Sequence, residues 1–374
     1  MIRKSLLLKL FEASYIQRWN DQIRFTEFTE LDKQAHKLII AFVISKIQEE
    51  EYRTKINWKS LIEKGIFGLL HRIILTDLKP PLIYKIKENK KEYAELNKWV
   101  LEKINPYILN FNKDFYDNFK KYLEYDDKSI EDKIINFAHF FSSKWEFDLI
   151  KNSSIPKFLD KEIEANIKKD LDKYSDFEAI KTFNKEEIQN FINLCGMLRF
   201  QIRWSHLYRI PKTSVLGHML IVAIYSYLFS LEANLSDENI INNFFTGLFH
   251  DFPEVFTRDI INPVKKSVEG LDKIIKKYEK QELERKILGN IPDYLSSPMR
   301  LYTEDEFEET PTRNGALIKA CDNLAAFIEA YLAIKNGIQN EQFYEAKNQI
   351  KGRYTEGKSK ICGIDFSEIF ADFE

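Results

Sequence analysis

Six residues of this chain have types and spacings that could do chemistry together: His218, His250, Asp251, Glu254, Asp259 and Asp322. Two imidazoles and two carboxylates (His218, His250, Asp251 and Asp322) form a donor set suited to a divalent cation of intermediate hardness, such as Mn, Fe, Co, Ni or Zn. A cation held there would lower the pKa of a bound water and provide hydroxide at neutral pH. Glu254 follows Asp251 by three positions and shares its face if the segment is helical, which would make it a general acid for a leaving group. Asp259 precedes a turn at Pro263, where it could orient the water or the substrate. Singly, each residue has an ordinary reading. A lone His on an apolar helix face is usually a satisfied core histidine, Asp259 could cap a turn, and Asp322 could pair with Arg203 or Lys319. Taken together on three apolar helices, in the order His, His-Asp, Asp, they favour the metal. Acids in apolar surroundings need a compensating charge.

The elements that must carry these groups read as helices. Residues 237–250 place apolar pairs at Ile240/Ile241, Phe244/Phe245 and Leu248/Phe249, a one-sided helix. Residues 215–232 follow Thr213 and Ser214, either of which could serve as the N-cap. His218, Ile221, Val222, Tyr225 and Phe229 line one face, and the other faces are largely apolar too, so this helix should be central. Residues 313–334 carry a stripe through Leu317, Ala320, Leu324, Ile328 and Leu332. Asp322 sits beside that stripe, with room left by Ala325 and Ala326. No run of alternating strands occurs, and the predicted class is all-α.

Composition agrees. The chain has 374 residues, 44% of them hydrophobic, with 29 Phe and 18 Tyr, enough for a large core in two domains or one large bundle. Only 12 Gly and 10 Pro interrupt it, which favours long helices. A net charge of −2 gives no nucleic-acid signal. Cys195, Cys321 and Cys362 are too scattered for a disulfide framework or a zinc ribbon, which points to a reducing, cytoplasmic setting. The N-terminal "MIRKSLLLKLFEASYIQRW" reads as a helix rather than a signal peptide. The greasiest stretch, 215–232, holds a His and two Tyr and reads as too short to span a bilayer, so no membrane is expected.

The chain also repeats itself. "QRWNDQIR" near residue 18 resembles "IRWSHLYR" near 203, and "AHKLIIAF" (35–42) resembles "GHMLIVAI" (217–224). "FGLLHRIILTDLKPP" (67–81) resembles "TGLFHDFPEVFTRDIINP" (246–263), and "INFAHFFSSKWEF" (135–147) lines up with "IKACDNLAAFIEA" (318–330). The first copy thus keeps His36, His71 and Asp77, has His139 in place of Asp322, and has Arg72 in place of Asp251. A guanidinium does not ligate a metal, and the Glu is missing. The first copy is predicted to be non-catalytic and to pack against the second. A sharper reading has Arg18, Arg24, Arg72 and the three His binding a nucleotide or phosphate. The polar stretch 165–188 is the expected boundary, giving units 1–175 and 185–374.

"RWSHLYR", "SVLGHMLIVA", "GLFHDFPEVFTRDIINPVK" and "KACDNLAAFIEA" resemble the four blocks of the HD-domain superfamily of metal-dependent phosphohydrolases, and within it the bacterial 5′-deoxynucleotidase group, over roughly 196–335. The resemblance implies a helical bundle around one divalent metal (Mn, Co, Fe, Ni, Zn or Mg), with His218, His250, Asp251 and Asp322 as ligands. It implies Glu254 as the catalytic acid, Asp259 as a positioning residue, a phosphate contact from Arg203 and a nucleoside contact from Trp204. The relatives commonly carry Glu and Ser on either side of the first metal His, where this chain has Gly217 and Met219. They carry Gly where it has Arg258, which either offers a second phosphate contact or faces solvent. The expected activity is hydrolysis of a nucleotide, best a (deoxy)nucleoside 5′-monophosphate, by a metal-bound hydroxide with Glu254 as acid. The alternative is a metal- and nucleotide-binding regulatory protein with little turnover. The expected partner is a small nucleotide or phosphate ester, and a homo-oligomer is left open.

Overall fold

The computed structural model describes the chain apart from residues 1, 77, 125–127, 152–157, 261–267 and 356, and apart from the side chains of residues 80, 81 and 84. Asp77 and Pro263, both singled out in the sequence, lie outside the described residues. The class is all-α. Long helices make the body, and the strands are two short antiparallel pairs, 17–18 with 28–29 and 360–361 with 364–365.

Six helices position the residues of interest. They are α1 (Glu30–Tyr52), α2 (Trp58–Leu75), α3 (Ile130–Ile150), α4 (Val215–Glu232), α5 (Asp237–Phe249) and α6 (Gly315–Lys335). Their starts are set by short polar side chains that satisfy the free N–H groups of a first turn. Thr29 accepts from Asp32 N at 3.2 Å, Ser214 from Gly217 N at 2.9 Å, and Ser236 from Asn239 N at 3.2 Å. Of the two candidate caps before α4, Ser214 is the one used. Thr213 instead donates to Glu329 at 2.6 Å. Helix α6 begins without a side-chain cap of its own, but the Asn314 backbone N–H donates to Asn243 Oδ1 of α5 at 2.8 Å, tying the two helices together.

Helix α4 is central, as its all-round apolarity requires. By length and hydropathy it reaches the lower limit for a membrane span, contrary to the sequence expectation, yet 94% of it is buried inside the protein, the mark of a core helix. Its two tyrosines find partners across the molecule: Tyr225 donates to Leu7 O at 2.9 Å and Tyr227 to Glu63 Oε1 at 2.8 Å. The two halves share one core. Phe42 of α1 packs against Phe245 and Phe249 of α5 with ring centroids 4.9 and 5.3 Å apart, and Trp58 of α2 meets Phe245 at 5.4 Å. Aromatic contacts of this kind hold the halves as one packed body.

Candidate metal centre

His218, one turn into α4, is buried. His250 ends α5, and Asp251 follows it at φ −97° and ψ 8°, where the chain leaves the helix for a single 3₁₀ turn, Phe252–Phe256. One ligand atom from each of these three residues lies within 4.8 Å of the others. Asp322 of α6 reaches the group through His218, with Oδ1 3.1 Å from Nε2. It stands outside the tight trio, and its other oxygen accepts from Lys319 at 2.8 Å. The ion pair with Lys319 and the approach to the histidines thus coexist.

The local chemistry suits a cation. His250 Nδ1 is 2.9 Å from Gly247 O. A carbonyl oxygen only accepts, so Nδ1 carries a proton and Nε2 is the nitrogen turned toward the carboxylates. His250 Nε2 faces Asp251 Oδ2 at 3.2 Å, and His218 Nε2 lies 3.8 Å from the same oxygen. Two acceptors at such range repel unless a proton or a metal ion lies between them. Burial alone would push the Asp251 carboxyl up, but His250, His218 and Arg203 outweigh it and hold it below the usual carboxylate range. Asp322 is likewise held low by Lys319 and the two histidines against its burial. Both acids therefore stay ionised and able to ligate.

Behind the trio sits a residue the sequence reading missed. Glu329 of α6 is fully buried and accepts from Arg203 Nε at 3.2 Å, Trp204 Nε1 at 2.8 Å and Thr213 Oγ1 at 2.6 Å. Its Oε1 is also 3.7 Å from His218 Nδ1, too long for a hydrogen bond but close enough to place a negative charge behind that ring. The Arg203 and Arg209 guanidiniums keep it ionised despite its burial. Arg203 extends from this anchor to the His218, His250 and Asp251 trio, with Nη1 3.6 Å from Asp251 and 3.8 Å from Asp259. Trp204 spends its indole N–H on Glu329 and packs its ring against Phe343 at 5.4 Å. Glu254 is buried on the 3₁₀ turn, and Arg258 is exposed at φ +68°, a left-handed backbone where glycine is the natural occupant. Gly217 is explained by the first half: a Cβ there would come within 3.0 Å of Leu31 and Asp32.

The first half rebuilds the same frame around different chemistry. Glu146 accepts from Arg18 Nε at 2.8 Å and Trp19 Nε1 at 2.9 Å, as Glu329 does from Arg203 and Trp204. Trp19 and Trp204 share positive φ, 53° and 58°. The register of α1, however, differs from the match of His36 with His218. Lys33, four residues after the Thr29 cap, takes the place that His218 takes after Ser214, and it touches His139 at 2.9 Å as His218 touches Asp322. His36 lies nearly one turn further on and is turned to different neighbours, 3.1 Å from Ile192 O and beside Trp145. His71 pairs with Asn97 at 3.1 Å. The three histidines of the first half are not brought together.

Comparison with known proteins follows this geometry. The family model described as "5′-deoxynucleotidase YfbR-like" matches residues 6–193, half of the chain, and the model described as "HD domain" matches 195–361. Similar curated proteins include 5′-deoxynucleotidases of Pasteurella multocida, 24% identical over 44% of this chain and 84% of that protein, and of Vibrio vulnificus, 25% identical over 50% and 96%. A crystal structure of an HD-domain phosphohydrolase from Listeria innocua aligns at 20% identity over 50% of this chain and 89% of that one, with a TM-score of 0.44. By the extent of the first match, and with an HD domain completing it, this chain belongs to the 5′-deoxynucleotidase YfbR-like family.

Proposed function

We propose that this protein is a divalent-metal-dependent phosphohydrolase whose substrate is a (deoxy)nucleoside 5′-monophosphate, acting from the second of two tandem HD-like units. The observation that carries the reading is the convergence of His218 Nε2, His250 Nε2 and the Asp251 carboxylate in one largely buried trio. His218, His250 and Asp251 would hold the metal, with Asp322 as the fourth ligand. When bound, such an ion supplies positive charge to a phosphoryl oxygen and a water of lowered pKa.

The remaining roles belong to the chain's own side chains. Arg203, held by Glu329, presents its Nη1 face between Asp251 and Asp259, and a guanidinium there binds phosphate by a two-pronged hydrogen bond. Glu254, buried on the turn after Asp251, delivers a proton to the leaving oxygen of the ester. Asp259 sets the orientation of Arg203 and the phosphate. Trp204 gives a ring edge to the nucleoside while its N–H stays with Glu329. The reading is supported by the family and by the names of the two curated relatives given above, both 5′-deoxynucleotidases.

The test is phosphate release from a panel of nucleoside mono- and triphosphates and cyclic dinucleotides with added Mn or Co. Release greatest for a 5′-monophosphate, and lost together with bound metal in Asp251→Ala, is the expected result. No release from any member of the panel, or undiminished release by Asp251→Ala, would refute it.

A further inference from the structure

Beneath the first half lies an open cavity of about 3380 Å³, and its floor is cationic. Arg18, Lys33, Lys37 and Arg72 reach it from α1, α2 and the strand before them, beside His71 and His139. The acids nearest these four side chains are already engaged, Glu30 in the lining and Glu146 behind it. Glu30 takes Arg18 at 3.0 Å and Arg72 at 3.7 Å, and Glu146 takes Arg18 and Arg199, each at 2.8 Å. Two ammonium groups feel Glu30 but have no carboxylate within ion-pair distance among the described residues. Lys33 is 1% exposed and meets only the imidazole of His139. Lys37, one turn on, is 2% exposed and makes no hydrogen bond or ion pair among the described residues, its Nζ standing above Gly68. Further out, Glu63 is engaged by Tyr227 and Asn118, and Asp132 by Lys64.

Glu30 offsets part of the cost of burying two lysines a turn apart on one helix face, but it already carries Arg18 and Arg72, so the pair stays short of negative charge. Such a pair persists in a fold when an anion completes it. The position matters as well. Lys33 stands where His218 stands in the other half, so the frame that carries a metal ligand there presents a fixed positive charge here. A lysine head in place of a cation can hold phosphate directly, as a point charge. The space above is far larger than a phosphate ion needs. It is bounded by the rings of Tyr93, Tyr122 and Phe140 and by the amide of Asn97, groups that suit a base and a sugar.

We propose that this cavity is a second, metal-independent site that binds a nucleoside phosphate, with Lys33 and Lys37 seating the phosphate. Burial depresses both ammonium groups, Lys37 to about 8, and an anion bound between them would restore their charge. Arg72, which cannot ligate a metal, fits such a site as a further donor. The site does not depend on turnover in the second half, because its readout is binding without metal.

The experiment is calorimetric titration of the full chain with deoxyadenosine 5′-monophosphate, and separately with inorganic phosphate, in excess chelator. The wild-type chain should bind the nucleotide, and Lys33→Met and Lys37→Met should each weaken it at least tenfold. Methionine keeps the volume and removes the charge. Lys37→Gln serves the same end should the Met variant close the cavity. An isotherm unchanged by these substitutions overturns the proposal. So does inorganic phosphate binding as tightly as the nucleotide, since the nucleoside part of the site would then contribute nothing.

Discussion

Replacing Glu329 by Gln tests the link between the buried frame and the metal centre. The glutamate accepts three hydrogen bonds within 3.2 Å, one of them from the Arg203 guanidinium, and stands 3.7 Å from His218. The amide side chain would keep the shape but leave Arg203 buried without its full charge partner. Breaking a buried pair costs about 3–5 kcal/mol, and the retained carbonyl oxygen of the amide should hold the loss near the lower end. If His218 ligates a metal as proposed, losing the negative charge behind it should weaken metal binding, by up to the roughly 10–100-fold that loss of an outer-shell partner costs. Glu146→Gln is the internal control. Glu146 holds Arg18, Trp19 and Arg199 at 2.8 to 2.9 Å in the same frame but adjoins none of the proposed ligands. Urea unfolding should show comparable destabilisation for both variants, whereas titration with Mn or Co should show weakened binding for Glu329→Gln alone. Wild-type metal affinity in Glu329→Gln, or equal losses in both, would refute the reasoning.

Three further outcomes are expected. Gly247→Ala should cost about 1–3 kcal/mol of stability and weaken metal binding, because its Cβ would come within 2.9 Å of the Ala223 backbone, which does not yield, and Gly247 O orients His250; unfolding and metal titration check it. Gly217→Glu, which restores the residue common in relatives, should destabilise by a similar ~1–3 kcal/mol, since its Cβ would sit 3.0 Å from Leu31 and Asp32, and a urea midpoint at or above wild type would contradict this. Lys37→Met should raise stability at pH 7 by up to about 3 kcal/mol, because a buried lysine lowered from 10.5 to about 8 opposes folding wherever it must stay charged. The sign follows from proton binding: between about 8 and 10.5 the unfolded chain holds more protons, so wild-type stability from this group rises with pH across that window. Unfolding at pH 7 and pH 10 should show the gap between variant and wild type closing.

Much of this protein is written in its residue order. The apolar spacing around His218 and Leu248/Phe249 fixes helices of period 3.6, and the all-round apolarity of 215–232 makes that helix the centre, because only a buried helix can be apolar on every side. The His, His-Asp pattern was readable for a similar reason, since charged and imidazole groups on apolar faces demand a partner. Tertiary structure decided the rest. Glu329 looks like one acid among many in "LAAFIEA" until packing brings Arg203, Trp204 and Thr213 onto it, although its match with Glu146 in the repeat was a signal that could have found it. The register of α1 was beyond local reading as well. The letters His-Lys-Leu-Ile-Ile matched His-Met-Leu-Ile-Val, but apolar residues one turn apart are interchangeable in such a comparison, whereas the Thr29 cap and the Lys33–His139 contact are not. Long-range pairing set which residue of the first half stands at the place of His218, and it put a lysine there.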